Sequence, residues 1–387
     1  MYFDNSATTL HKPAALKEKY VELLDSEKYG NPSRSGHALS QNSMMGIFRT
    51  KMDLAKIFHI ADPSDIALTE NASFGLNMVI KSLIRENDHV ITTTTEHNSV
   101  LRPLYQSGAE LSFLDFDENC KVNFDKIPEL IKENTRFIVT NHASNLLANL
   151  NDLDKIHQLA QKYKLIMIID MAQTAGCVDV DLSRYSNSIF VFTGHKSLYG
   201  PSGTGGIIKV GDFDFSNVFA GGSGINSFDK CHPKDFPAIF EVGTSNFLSQ
   251  ISMDASLKFL LDTGIDNINE KIKNLTKRFY NGIKDIEAVK FYSKKPEGDF
   301  TGIVSFNISD MDSAELSLIL DENYNIQTRP GAHCAPLIHK HFATEDQGIV
   351  RFSFSYFNSE EEIDAAIDAV REIAADYNSK WKRLRKS

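Results

Sequence analysis

The chain has 387 residues, 42% of them hydrophobic and 24% charged, a balance that excludes a disordered, fibrous or disulfide-stapled polypeptide. Acidic side chains outnumber basic ones by 51 to 41, for a formal net charge of −10, so neither nucleic acid nor an anionic membrane is an expected partner. Cys120, Cys177, Cys231 and Cys334 form no Cys-x-x-Cys pair, which argues against a metal site and a disulfide framework and fits a reducing, cytoplasmic compartment.

The opening segment, Met1 to Thr9, lacks the basic and apolar regions of a signal peptide, and no apolar run nears the ~20 residues of a membrane span. From about residue 45 to 210, helical patterns alternate with short apolar runs. The runs 66–69, 89–92, 110–114, 136–140, 165–170 and 188–192 read as strands. Several are almost wholly apolar, as in a mostly parallel sheet covered by helices on both faces. Between two of them, residues 153–164 predict a helix with Leu153, Ile156, Leu159 and Ala160 on its buried side. After about residue 250 the rhythm changes: helices over 252–261 and 267–284, a strand over 302–308, a helix over 313–321, a strand over 350–356 with alternating Phe, and a helix from 359 to about 385. That last helix opens on Glu360-Glu361-Glu362 and closes on a basic run, 380–386, charges that suit the helix dipole at each end. Single cores stop growing at ~250–300 residues. We therefore expect a large α/β domain over 14–250 and a small α+β domain over 251–387 that also takes in residues 1–13.

In an open α/β sheet, ligands bind beyond the carboxyl ends of the strands. Asp170 closes the most apolar strand, where a carboxylate serves either as a turn or helix cap or as the partner of a bound cation. The next strand runs into Thr193-Gly194-His195-Lys196 and a Gly-rich stretch through Gly206, which matches neither a dinucleotide fingerprint nor a P-loop. A lysine wedged there is either a solvated charge or an amine desolvated enough to act as a nucleophile. Asp and Lys at successive strand ends suggest pyridoxal 5′-phosphate (PLP), whose Schiff-base lysine and pyridinium partner need that pairing. Asn71-Ala72-Ser73 leads from a strand into a helix, either as a plain cap or as a phosphate cradle of backbone amides and the Ser73 hydroxyl. His97 follows another strand, where it would lie over a flat ring.

Together with Tyr2–Thr9, Gly30–Ser33, Glu96–Ser99, Asp170–Gln173, Glu241–Asn246 and the loop Arg329-Pro330-Gly331-Ala332-His333-Cys334-Ala335-Pro336, these motifs resemble the cysteine desulfurases of the class V aminotransferase family, in order from residue 2 to about residue 364. The resemblance implies a fold-type I PLP-dependent transferase, normally a homodimer, acting on a small amino acid. It implies Lys196 as the cofactor-bearing lysine, Asp170 at the pyridinium nitrogen, Gln173 at the ring's phenolic oxygen and His97 stacked on the ring. Ala72, Ser73, Thr193 and His195 would hold the phosphate, with Thr244 reaching in from the other subunit. Arg351 would grip the substrate carboxylate, Asn145 would lie near ring oxygen and substrate, and Arg329 beside the thiol loop. Cys334 would accept sulfur as a persulfide, its charged form favoured by His333 and Arg329, and pass it to an acceptor protein. A buried, inert cysteine is the usual alternative, but the loop around Cys334 is polar and turn-rich. Selenocysteine lyase, C–S lyase and aminotransferase chemistry stay open within the family, as does a retired PLP fold used as a scaffold. The chain departs from the pattern at Ser6 and Ser73, where alanine and threonine are usual, and in Leu146–Leu150, which lacks a glycine many relatives carry. The short thiol loop resembles the desulfurases that depend on a dedicated acceptor.

Overall fold

The six apolar runs before residue 200 become six strands of one sheet in the computed structural model, which describes residues 1–32, 36–225 and 227–384, with side-chain surroundings to residue 377. Ser33, Arg385 and Lys386, named above in the motif and the basic run, lie outside the described residues. The strands are β1 (Ile66–Thr69), β2 (His89–Thr93), β3 (Glu110–Leu114), β4 (Thr135–Asn141), β5 (Ile166–Asp170) and β6 (Ser188–Thr193), and β7 (Gly205–Val210) joins them in the order β1-β7-β6-β5-β4-β2-β3. Strands β2 to β6 pair in parallel, whereas β7 runs antiparallel to both β6 and β1. β1 therefore points the same way as β2 to β6. The stretch read as a Gly-rich loop ends earlier than expected, because Gly205 and Gly206 already belong to β7. Their lack of a side chain serves packing: a Cβ on Gly205 would lie 2.8 Å from both Asn71 Cα and Phe192 O.

The helices are α1 (Ala14–Asp25), α2 (Ala38–Ile57), α3 (Ala72–Leu83), α4 (Asn98–Ser107), α5 (Ile127–Leu130), α6 (Leu153–Tyr163), α7 (Phe247–Thr263), α8 (Ile265–Ile283), α9 (Ser313–Tyr324), α10 (Pro336–Phe342) and α11 (Glu360–Leu384). Alternation along each strand splits the apolar side chains between two cores. Met167 and Ile169 of β5 face one core with Leu54, Ile156 and Leu257 from α2, α6 and α7, and Ile168 faces the other with Leu76, Val79 and Leu104 from α3 and α4. Each such buried aliphatic side chain is worth ~1.5–3 kcal/mol, so the sheet is anchored from both sides.

A second, antiparallel sheet runs β10-β9-β8, with β8 (Val289–Phe291), β9 (Ile303–Ile308) and β10 (Val350–Ser353). Its core gathers Phe279, Leu316, Phe352 and Val370, and Phe279 stacks on Phe352 with ring centroids 4.5 Å apart. Phe3 joins this core, so the amino-terminal segment is seated against the second sheet. The strand expected over 350–356 stops at Ser353, because the chain enters a turn in which Ser355 N donates to Asn358 Oδ1 at 3.0 Å. Among the described residues no helix is long and apolar enough to cross a membrane.

Candidate active site

Parallel pairing brings the carboxyl ends of β1, β2, β4, β5 and β6 to one edge of the large sheet, with Asp170 opposite Val191 at the ends of β5 and β6. A cavity of about 410 Å³ opens there. Ala72, Ser73, His97, Asn145, Asp170, Gln173, Thr193, His195 and Lys196, all picked out from the sequence, line it. So do Asn71, read from the sequence only as part of a cap or cradle, and Ser99, Asn141 and Ser202, to which sequence reasoning gave no role.

Lys196 sits just past β6 on a loop pressed from beneath by Gly176, whose φ is +89° and whose Cβ, if present, would meet Ser197 O at 2.4 Å. Burial draws the Lys196 amine down to about 8, against the attraction of Asp170, and Arg351 and Arg329 lower it further. Burial in turn raises the Asp170 carboxyl, opposed by the Ala172 amide, which donates to Asp170 Oδ1 at 2.8 Å, and by Lys196. His97 caps α4: its Nδ1 accepts from Ser99 N at 3.0 Å, which leaves the ring proton on Nε2. Burial first, then Lys196 and three arginines, lower its pKa to about 4, so the imidazole is neutral.

Two helix amino termini converge on the cavity. Asn71 caps α3 by accepting from Phe74 N at 2.9 Å, and the first-turn amides of Ala72 and Ser73 have no acceptor within the helix. Ser73 Oγ and Ser99 Oγ, on α3 and α4, lie 2.5 Å apart. Amide dipoles and hydroxyls so arranged favour an anion. Beneath the cavity lies Glu96, a residue of the Glu96–Ser99 motif to which sequence reasoning gave no role. It is fully buried, and its Oε1 accepts from Thr93 Oγ1 at 2.6 Å, Asn141 N at 3.0 Å, and Thr140 Oγ1 and Asn141 Nδ2 at 3.1 Å each. Its Oε2 has no partner, and burial pushes the carboxyl up to about 8.

Cys334, Arg329, Arg351 and Thr244 do not line this cavity. The thiol loop is nonetheless tied to its rim: Asn98 N donates to Cys334 O and Asn145 Nδ2 to His333 O, both at 2.8 Å. His333 and Cys334 are partly strained, with φ of +51° and +55°. The expectation that His333 adds positive charge beside the thiol is corrected. His333 is buried, its Nε2 donates to Ile349 O at 2.8 Å, and burial drives its pKa well below the usual range. Arg351 is buried too, and its backbone pairs with that of Arg329. Thr244 is exposed and lines a separate cavity of about 680 Å³ with Asn31, Met44, Phe74 and Phe219, and Gly203 borders both cavities. In the departing Leu146–Leu150 segment, Ala148 takes the left-handed position, φ +60°, that favours glycine.

The family model for Aminotransferase class-V matches residues 1–366. The chain belongs to that family. This class-V chain is 30% identical over 393 residues to a probable cysteine desulfurase of Pyrococcus abyssi, spanning 98% of this chain and 95% of the relative. It is also 30% identical to a probable cysteine desulfurase of Methanothermobacter thermautotrophicus, spanning 97% and 94%. The apo structure of a cysteine desulfurase from Thermococcus onnurineus matches it with a TM-score of 0.90 at 28% identity, over 97% and 95% of the two chains. The fold is thus that of PLP fold-type I enzymes, and family members are PLP-dependent enzymes acting on a small amino acid.

The residues of this class-V chain fit that cofactor. The Lys196 amine, drawn to about 8, has no hydrogen-bond acceptor among the described residues, and the Asp170 carboxyl is buried at the end of the adjacent strand. Two helix amino termini supply the phosphate end, and a neutral imidazole caps one of them.

Proposed function

We propose that this chain is a PLP-dependent cysteine desulfurase that converts L-cysteine to L-alanine and holds the sulfur on Cys334 as a persulfide for an acceptor protein. One observation favours this over aminotransferase or C–S lyase chemistry. The backbone of Cys334 is bound to Asn98, the residue after His97, so the thiol loop is docked at the rim of the Lys196 cavity. Neither alternative needs a thiol there.

PLP, when bound, supplies an electron sink that weakens the substrate Cα–H bond. Lys196 would carry it, Asp170 would keep its ring nitrogen protonated and Gln173 would donate to its phenolic oxygen. Ala72, Ser73, Thr193 and His195 would hold the phosphate, and His97 would lie against the ring with a proton to give at Nε2. Lys196, with a pKa of about 8, is free enough of its proton near neutrality to take the Cα proton once released. Arg351 and Asn145 orient the substrate, with Arg329 beside them. The Cys334 thiolate then attacks the substrate sulfur: the S–S bond forms, the carbon–sulfur bond breaks, and its electron pair stays on carbon, which is protonated to give alanine.

A homodimer in which Thr244 completes the partner's site accounts for the apolar rim around Thr244, where Met44, Phe48 and Phe219 are 44%, 47% and 45% exposed. The large domain would span 14–250 and the small one 251–387 with 1–13, working in a reducing cytoplasm that lets Cys334 cycle.

The test is Cys334→Ser. The variant keeps the visible absorbance of lysine-bound PLP and loses persulfide and alanine formation from L-cysteine. Full activity without the thiol would refute the assignment. Parallel assays with L-selenocysteine separate the desulfurase from a selenocysteine lyase.

A further inference from the structure

Arg351 is only 1% exposed, yet it is the residue assigned to the substrate's carboxylate. Its Nη2 donates to Asp4 Oδ1 at 2.6 Å and its Nη1 to Asn145 O at 3.0 Å, while Nε has no partner. The Asp4 side chain is 21% exposed, so the carboxylate is the wet member of a pair whose guanidinium is dry. A fork of two parallel N–H groups is what an amino acid's carboxylate needs, and here one arm of that fork is already engaged by a carboxylate from the chain itself and the other by the carbonyl of Asn145.

Asp4 rides on a segment stitched to both sides of the cavity. Phe3 N donates to Gln327 O at 2.8 Å and Ser353 N to Phe3 O at 2.7 Å. On the other side, Thr9 N donates to His195 O and Thr9 Oγ1 to Lys196 O, both at 3.1 Å. The backbone around Asp4 is held independently of its carboxylate, since Asp4 O accepts from Ala7 N and Tyr2 Oη at 3.1 Å each. The side chain is therefore able to leave Arg351 by rotation, with the segment in place. Two carboxylates crowded on one arginine repel, and a buried guanidinium left without one is strongly disfavoured. Exchange of one for the other avoids both states.

We propose that Asp4 is an internal stand-in for the substrate, holding Arg351 while no amino acid is bound and yielding that position to the α-carboxylate on binding. This rests on the reading of Arg351 as the carboxylate grip. Asp4 thereby acts as a specificity-determining residue: only a ligand whose own carboxylate replaces it releases the arginine.

The test is equilibrium binding to the PLP-loaded protein, followed by cofactor absorbance, of L-alanine and of ethylamine, which lacks the carboxylate. Removing the internal competitor with Asp4→Asn raises the fraction of chains ready to bind, so L-alanine affinity rises ~10-fold while ethylamine affinity is unchanged. Unchanged or weaker L-alanine binding overturns the exchange. Arg351→Lys separates the two claims: if it leaves the preference for L-alanine over ethylamine intact, Arg351 is not the grip. If it abolishes that preference and Asp4→Asn does not sharpen it, the grip stands and the exchange alone fails. Should Asp4→Asn fail to fold, refolding with L-alanine restores it and refolding with ethylamine does not. Restoration by both or by neither overturns the proposal.

Discussion

Replacing Gly176 by alanine tests whether the turn beneath Lys196 sets the position of the amine. Gly176 has φ +89°, where a side chain costs ~1–2 kcal/mol. The new Cβ would also lie 2.4 Å from Ser197 O, 2.7 Å from Ser197 C and 2.9 Å from Leu198 N, backbone atoms that do not rotate away. Relief to ~3.0 Å shifts the residue after Lys196 by ~0.6 Å, and such overpacking costs a further ~1–3 kcal/mol. Since a misplacement of ~1 Å lowers rate ~10²-fold, kcat/KM for L-cysteine should fall ~10- to 10²-fold. The assay is alanine formation under a reductant, with urea unfolding of the same samples expected to show a loss of ~2–5 kcal/mol. Gly222→Ala, where no atom lies within 4 Å of the added Cβ, is the control and should match the parent in both. Parental rate and stability in Gly176→Ala would mean that the Lys196 loop is not held from this side.

Glu96 and the cysteines give further tests. Glu96 has its folded pKa raised from 4.5 to about 8, so its contribution to stability is fully present below pH 4.5 and lost as pH rises through 8. Glu96→Gln keeps the acceptor at Oε1 and removes the titration. Its stability relative to the parent should rise between pH 4.5 and 8, by at most ~5 kcal/mol in urea unfolding, and parallel pH profiles would refute the buried neutral acid. Burial pushes the Cys120 and Cys177 thiols up to about 12 and 11, so iodoacetamide at pH 7 should label Cys231 and Cys334 and spare the other two until the chain unfolds. Labelling of Cys177 in the folded protein would overturn that division.

Strands β1 and β3 were legible to the residue, because a short run centred on Leu, Ile or Phe between polar turns has few other solutions in an α/β chain. β7 was not, since Gly205 and Gly206 carry no β propensity and are required only by the close approach of Asn71 and Phe192. The helix α2 gave no clean stripe: Met44, Met45 and Phe48 stay exposed on the isolated chain beside the buried face. At the site, Ala72, Ser73, His97, Asp170 and Lys196 were readable because they sit at strand ends, where topology and chemistry coincide, whereas Asn145, Gln173, Thr193 and His195 were reached only through the family resemblance. The engagement of Arg351 by Asp4, the neutrality of His333 and the burial of Glu96 were not, because each depends on a contact or an enclosure that no spacing encodes.

Asp4 and Arg351 meet across 347 positions of chain, whereas Asp170 and Lys196 lie within one stretch of consecutive strands. Contacts so distant close late. At a synthesis rate of ~5–20 residues per second, Asp4 waits roughly 20–70 s for its arginine to be made. The large sheet, with its lysine and its phosphate end, is complete at Val210, about 141 residues before Arg351, and so has roughly 7–28 s of that interval in which to form first. The lysine and phosphate end are therefore encoded early enough to assemble before the Asp4–Arg351 pair, which closes only when the amino-terminal segment is finally sewn onto Ser353.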